Sequence, residues 1–137
     1  MNGPEHIQEA KRWLVYARED MQTAQVILEH PTIAYRHVCG LSQQAAEKAL
    51  KATLIFLRVE FPRTHDLDVL LKLIPSDWSV KQLIPDLATL TEWAVESRYP
   101  GDWPEANQED AEYALNQASQ ILQTILTDFE QRGAKLP

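Results

Sequence analysis

The chain has 137 residues, of which 45% are hydrophobic and 24% charged, and its formal net charge is −7. This length predicts a single domain over 1–137, with residues 133–137 as a frayed tail. The only cysteine, Cys39, excludes an intrachain disulfide, and the sequence contains no apolar run of the roughly 18 residues that a membrane-spanning helix needs.

The N-terminal residues lack the basic and then apolar order of a secretory signal, so we expect a cytoplasmic protein. The negative charge argues against an overall field that attracts nucleic acid, because non-specific binding comes mainly from Lys and Arg that neutralise phosphates. An RNA-directed role would therefore need a local basic site, which two subunits could build together.

Two long helices are predicted in the first half of the chain. Apolar residues three or four apart predict a helix over 5–29 that Pro31 ends. A second helix is predicted from Ala34 to about Val59, and Pro62 closes it. Small side chains along one face of this second helix would let a neighbouring backbone approach closely. That face carries Val38, Leu41, Ala45, Ala49 and Ala52.

Shorter elements follow. Thr64 or Asp66 is positioned to cap a short third helix over 67–73. The stretch 78–97 has a helical pattern, and Pro85 fits the first turn of the main helix there.

A last helix is predicted from about 105 to 132, stopped by Gly133. No internal repeat and no alternation of the kind that predicts a strand is present. The expected fold is all-α, an up-and-down antiparallel bundle of about five helices.

A band of polar residues marks the second helix. Gln44, Glu47, Lys48 and Lys51 share one face, because residues three and four apart are neighbours on a helix. Glu47 and Lys51 also have the spacing of an ordinary surface pair worth about 0.2–0.5 kcal/mol. The band is therefore either a ligand site or a solvated surface.

Three further positions are candidates for chemistry. Arg98 ends the fourth predicted helix, where a cation complements the helix dipole or contacts a ligand. His65 precedes a predicted helix start and suits either a cap contact or general acid–base work. His37 and Cys39 point about 200° apart on a helix, so we predict no metal site.

Short motifs for nucleotide binding or hydrolysis are absent from the sequence, which has no GxGxxG, no phosphate-binding loop, no GxSxG and no HExxH. No cofactor is predicted. The tryptophans are interpreted as core or interface anchors in preference to base-stacking surfaces. They are Trp13, Trp78, Trp93 and Trp103.

The order and spacing of several segments resembles the HEPN family (higher eukaryotes and prokaryotes nucleotide-binding), over nearly the whole chain. These segments are 17–24, 43–52, 64–67 and Arg98-Tyr99-Pro100. The resemblance implies a helical bundle that forms a homodimer, with the polar band of the second helix and the Arg98 region near a shared cleft. It also implies a minimal nucleotidyltransferase as partner, in a toxin–antitoxin-like pair.

Several members of the family are metal-independent RNases, in which an Arg stabilises the scissile phosphate and a His further along the same helix aids attack by the 2′-hydroxyl. In this chain no histidine follows Arg98. The favoured interpretation is therefore a dimeric binding module that docks the partner and binds a nucleotide. Its ligand-binding residues would be Gln44, Glu47, Lys48, Lys51 and Tyr99.

Two alternatives remain open. A toxin-type RNase would use Arg98 with His65, and the lysines of the polar band would hold phosphates. A purely structural homodimer would bury the same polar groups in mutual hydrogen bonds. Unpaired Lys48 and Arg98 beside an open pocket would favour ligand binding, whereas fully paired groups would favour the structural role.

Overall fold

The computed structural model describes residues 4–83 and 85–137. Over these residues the secondary structure is entirely helical, which confirms the all-α prediction. The elements are α1 (Glu5–Leu28), α2 (Arg36–Phe56), α3 (Leu67–Lys72), a 3-10 turn (Ser79–Gln82), α4 (Leu87–Glu96) and α5 (Gln108–Gln131).

Helix α2 lies at the centre of the bundle and packs against each of the other four helices. Ala45, Ala49 and Ala52, three of the small residues predicted to allow close approach, have no solvent exposure. Because methyl groups keep the helix axes close, enlarging one of them would cost about 1–3 kcal/mol through overpacking.

An aromatic cluster closes one end of the core. The ring of Phe129 lies 4.9 Å from that of Phe56 and 5.8 Å from that of Trp78, centroid to centroid. The buried Asp128 accepts the backbone N–H groups of Ser79 and Val80 at 3.1 and 3.3 Å, which fixes the 3-10 turn against α5. Trp78 is therefore a core anchor, as predicted.

The end of α2 differs from its predicted place. The helix ends at Phe56 and not near Val59, because Arg58 adopts a left-handed backbone with φ of 58°. The N–H of Val59 then donates to the carbonyl of Leu54 at 2.9 Å, and the N–H of Arg58 donates to that of Ile55 at 3.1 Å. This pair of bonds is a Schellman motif, so Pro62 has no part in stopping the helix.

Two further expectations need correction. Pro85 does not lie in the first turn of α4, because Asp86 after it is the N-cap and accepts the N–H of Thr89 at 3.2 Å. The tail is packed and not frayed, since Ala134 and Leu136 are only 2% and 9% exposed.

Asp66 caps α3, as one of the two predicted candidates, by accepting the N–H of Asp68. No helix in the described ranges combines the length and apolar character that crossing a membrane requires.

We predict that Arg58→Gly stabilises the fold by about 0.5–1 kcal/mol. Glycine removes the steric cost of the left-handed conformation, which exceeds the entropy it adds to the unfolded chain. Urea unfolding of both proteins measures the difference. The control is Arg63→Gly at an exposed position without positive φ, which should lower stability; an equal loss at both positions would contradict the prediction.

Candidate functional site

A buried carboxylate organises the middle of α2. Glu47 is 5% exposed, and its Oε1 lies 3.0 Å from Nε2 of Gln43 and 2.7 Å from Nδ1 of His65. Its second oxygen, Oε2, accepts from Nζ of Lys51 at 3.0 Å. The fully buried Gln43 also donates to the backbone carbonyl of His65 at 3.3 Å. We call Gln43, Glu47, Lys51 and His65 the Glu47 cluster; it fastens the segment before α3 onto α2.

Electrostatics keep Glu47 ionised in this setting. Burial by itself raises the pKa of its carboxyl, but hydrogen bonds from Gln43, His65 and Lys51, with the charge of Lys51, outweigh burial and hold the pKa below its ordinary value. Both oxygens of Glu47 have hydrogen-bond partners within the cluster. Its geometry is that of a structural network.

Lys48 is also occupied. Its Nζ lies 2.6 Å from Oδ2 of Asp20 on α1 and 6.0 Å from the centre of the Tyr16 ring. Lys48 and Lys51 therefore both have carboxylate partners, so the expectation that they bind ligand phosphates stays a prediction that this geometry does not favour.

Arg98 presents the opposite situation. It follows α4, its side chain is exposed, and it makes no ion pair or side-chain hydrogen bond with any residue in the described part of the chain. It borders two cavities. One, of about 310 Å³, is walled by the loop 98–106; the other, of about 190 Å³, runs along the first turns of α2.

We name these cavities by their walls. The loop cavity is lined by Arg36, Trp93, Glu96, Glu105, Ala106 and the loop residues Arg98, Tyr99, Pro100, Gly101, Trp103 and Pro104. The α2 groove is lined by Arg36, His37, Gly40, Leu41, Gln44, Ser97 and Arg98.

A close contact between helices sets the position of Arg98. A Cβ on Gly40 would lie 2.5 Å from Oγ of Ser97, so the end of α4 touches α2 at a residue without a side chain. Ser97 in turn donates its hydroxyl to the carbonyl of Trp93. Arg98 is thereby held beside Arg36 and His37 at the start of α2.

The α2 groove beside Arg98 is lined by two arginines and by no acidic residue, although the whole chain is acidic. Arg36 lines both cavities, and its Nη1 lies 3.1 Å from Oε1 of Glu105. Because this ion pair is exposed to solvent, its interaction energy is small. No side chain caps the N-terminus of α2, whose dipole adds partial positive charge there. This corner of the molecule suits an anion.

The polar band is divided between two places. Gln44 lines the α2 groove with Arg98, whereas Glu47 and Lys51 belong to the Glu47 cluster. A hydrogen bond of 2.7 Å from Nε2 of Gln44 to Oε1 of Gln43 links the two. His65 is not among the residues that line either Arg98 cavity, so the structure does not bring the proposed pair Arg98 and His65 together.

Sequence reasoning did not identify Arg36 and Trp103 as site residues, and it considered His37 only as a metal ligand. A usable signal existed for His37, which lies three, four and seven residues before Gly40, Leu41 and Gln44 and so shares their face. No comparable signal marks Trp103, because a loop has no periodicity.

The Cys39 thiol and the possible metal ligands give no indication of a further reactive site. Burial, with the nearby charge of Asp110, raises the pKa of the Cys39 thiol to about 12, so the thiol is protonated at neutral pH. Within the described ranges, no group of three or more His, Cys, Asp or Glu side chains is placed to hold a metal ion.

Comparisons with known proteins give a consistent result. The model of the HEPN domain matches residues 10–129. A protein of Methanocaldococcus jannaschii named "Putative toxin MJ1304" is 33% identical over 150 aligned positions, which cover 95% of each chain.

Two solved structures are similar throughout their length. TT1696 from Thermus thermophilus superposes with a TM-score of 0.72 at 28% identity, covering 87% of this chain and 97% of its own. ST0689, described as an archaeal HEPN homologue, superposes with a TM-score of 0.64 at 26% identity, covering 92% and 98%.

We predict that Glu47→Gln destabilises the protein by about 2–3 kcal/mol at pH 7, because Lys51 loses its buried partner. The folded pKa of Glu47 is lowered from 4.5, so its contribution is present above that value and is lost as the pH falls through the folded pKa. The difference from wild type should therefore shrink in urea unfolding at pH 3.

The matched control is Glu19→Gln, at an exposed position on α1, which should change stability by less than about 0.5 kcal/mol. A loss at Glu47 that is equal at pH 7 and pH 3 would contradict the electrostatic explanation.

Proposed function

Because the chain belongs to the HEPN family, we propose that it is the binding component of a toxin–antitoxin-type pair and that its Arg98 corner binds the phosphate groups of a nucleotide or RNA. The relative named as a toxin supports the first part of this proposal. The state of the Arg98 side chain supports the second.

An exposed arginine without a carboxylate partner is the observation that carries the proposal. The guanidinium of Arg98 has five N–H donors and makes no side-chain hydrogen bond or ion pair with any described residue. Lys48 and Lys51, in contrast, each pair with a carboxylate. A guanidinium matches two oxygens of a phosphate at once, and a charge-assisted bond of this kind is about twice as strong as a neutral one.

Neighbouring groups add to the attraction. Arg36 lies at both cavities, and among the described residues its side chain pairs with the exposed Glu105, which a more strongly charged ligand can displace. The amide of Gln44 lines the α2 groove and can donate or accept. Since the chain carries a net charge of −7, binding depends on this local arrangement and should weaken as salt is added.

We further propose that the protein forms a homodimer through the face beside Arg98. Val95 and Tyr99 are four residues apart and are 53% and 61% exposed, so the end of α4 presents apolar side chains next to the cavities. Contact there would bring two Arg98 corners together. A nucleotidyltransferase-type protein remains the proposed partner.

We predict that Arg98→Ala weakens binding of inorganic tripolyphosphate at least tenfold in calorimetric titration at low salt, because the free guanidinium is removed. The control is Arg63→Ala, an arginine that is also exposed but lies away from both cavities. Equal binding by wild type and Arg98→Ala would refute a phosphate site at this corner.

A ribonuclease is the second candidate, and one observation favours a modified form of it: His37, not His65, lines the groove with Arg98. The imidazole would take the proton of a 2′-hydroxyl, whose oxygen would then attack the adjacent phosphorus and displace the 5′-oxygen of the next nucleotide, which gains a proton from water. The guanidinium would stabilise the charge on the phosphate during this step. The original pairing with His65 would require the imidazole to leave Glu47, its 2.7 Å partner.

The binding function predicts that purified wild type leaves single-stranded RNA intact, as followed by gel and by the formation of 2′,3′-cyclic phosphate ends. Cleavage that disappears in Arg98→Ala would establish the second candidate instead. His37→Ala and His65→Ala, compared in the same assay, then identify the histidine; cleavage that persists in all three variants would mark a contaminating nuclease.

A further inference from the structure

The loop cavity has a composition that a simple phosphate site does not need. Two tryptophans and a tyrosine line it together with Arg98, and a carboxylate, Glu96, lies on its wall. We propose that the loop cavity holds the base of a nucleotide, with Trp103 as the stacking surface and Glu96 as an acceptor for the amino group of the base. The inference rests on the proposed phosphate site, since Arg98 would hold the phosphates of the same ligand.

The indole ring of Trp103 is held in place by the loop backbone. A Cβ on Gly101 would lie 2.4 Å from Cη2 and Cζ3 of the Trp103 indole, so the ring packs directly on the backbone of the loop. Trp103 is half-buried, and the rest of its surface contributes to the cavity wall. An aromatic ring immobilised in this way binds a base at small entropic cost, and such stacking changes affinity by about tenfold or more.

The second tryptophan has a different role. Trp93 is 9% exposed and belongs to the hydrophobic core, so it forms the floor of the cavity. The interpretation of the tryptophans as core anchors therefore applies to Trp93, whereas Trp103 lies in a loop over an open space.

The charges around the cavity also suit a nucleotide. In the unliganded protein Glu105 pairs with Arg36 at 3.1 Å, whereas Glu96 makes no ion pair or side-chain hydrogen bond with any described residue, so Glu96 is the carboxylate assigned to the base. A carboxylate repels phosphate but accepts hydrogen bonds from an exocyclic amino group. The base would therefore lie toward Glu96 and the phosphates toward Arg98, where the loop cavity meets the α2 groove.

The size of the cavity limits the ligand. A volume of about 310 Å³ is at the lower end of the range for small-molecule sites, roughly 300–1,000 Å³. It is sufficient for one nucleoside. The substrate class is accordingly a mononucleotide, or a single base of an RNA strand whose backbone passes Arg98.

The test compares adenosine diphosphate with pyrophosphate in metal-free, low-salt buffer, using calorimetry and the quenching of tryptophan fluorescence. We expect wild type to bind the nucleotide about tenfold more tightly than pyrophosphate. Trp103→Leu should abolish this preference and leave pyrophosphate binding unchanged, and Trp103→Phe should retain part of the preference. Glu96→Ala should weaken nucleotide binding but not pyrophosphate binding.

Trp13→Phe is the matched control, because Trp13 is a half-buried tryptophan on α1 that donates to Glu9, outside the loop cavity. Its nucleotide preference and fluorescence quenching should match wild type. Thermal melts of each variant verify the fold, and Trp103→Phe keeps the test decisive where Trp103→Leu does not fold.

The outcomes separate the two proposals. Equal affinity of wild type for adenosine diphosphate and pyrophosphate, with both lost in Arg98→Ala, overturns the base site and leaves the phosphate site standing. A nucleotide preference that survives in Trp103→Leu also overturns the base site. Absence of binding to either ligand overturns the phosphate site and the base site together.

Discussion

The close packing of small side chains along α2 is the constraint on which the remaining structure depends. Because Ala45, Ala49 and Ala52 are fully buried, the neighbouring helices approach the α2 backbone and not a layer of long side chains. The same principle operates at Gly40, where α4 ends against α2. The polar residues of α2 lie at the edges of these contacts. The helix or loop that packs beside each of them therefore determines its hydrogen-bond and ion-pair partners.

As a result, neighbouring residues on α2 contact different parts of the structure. Lys48 faces α1 and finds Asp20, whereas Lys51 lies against Glu47 and the ring of Phe61, 5.8 Å from its Nζ. At the other end of α2, the approach of α4 places Arg98 beside Arg36 in the α2 groove, where no acidic residue is among the lining residues. A charge that is buried without a partner is costly. Arg98 avoids this cost because its side chain is exposed to water or to a ligand.

The sequence predicted the fold well and the site only in part, for physical reasons. Helical periodicity identifies which residues share a face, so it grouped Gln44, Glu47, Lys48 and Lys51 as one band, although the structure gives them separate surroundings. It does not reveal the partner across a helix interface: Asp20 lies 28 residues before Lys48 along the chain. The left-handed turn at Arg58 was missed as well, because glycine or asparagine is the usual signal for such a turn and neither is present.

The loop after Arg98 is where this chain differs from the arginine–histidine pattern of the family's ribonucleases. The resemblance places a catalytic histidine on the helix beyond the arginine, but here the helix stops and Pro100, Gly101 and Trp103 follow. Pro100 and Trp103 have no side-chain group that serves as a general acid or base, and both line the loop cavity beside Arg98. The loop therefore supplies a cavity wall beside Arg98 and no histidine, which agrees with the proposal that this corner holds a phosphorylated ligand.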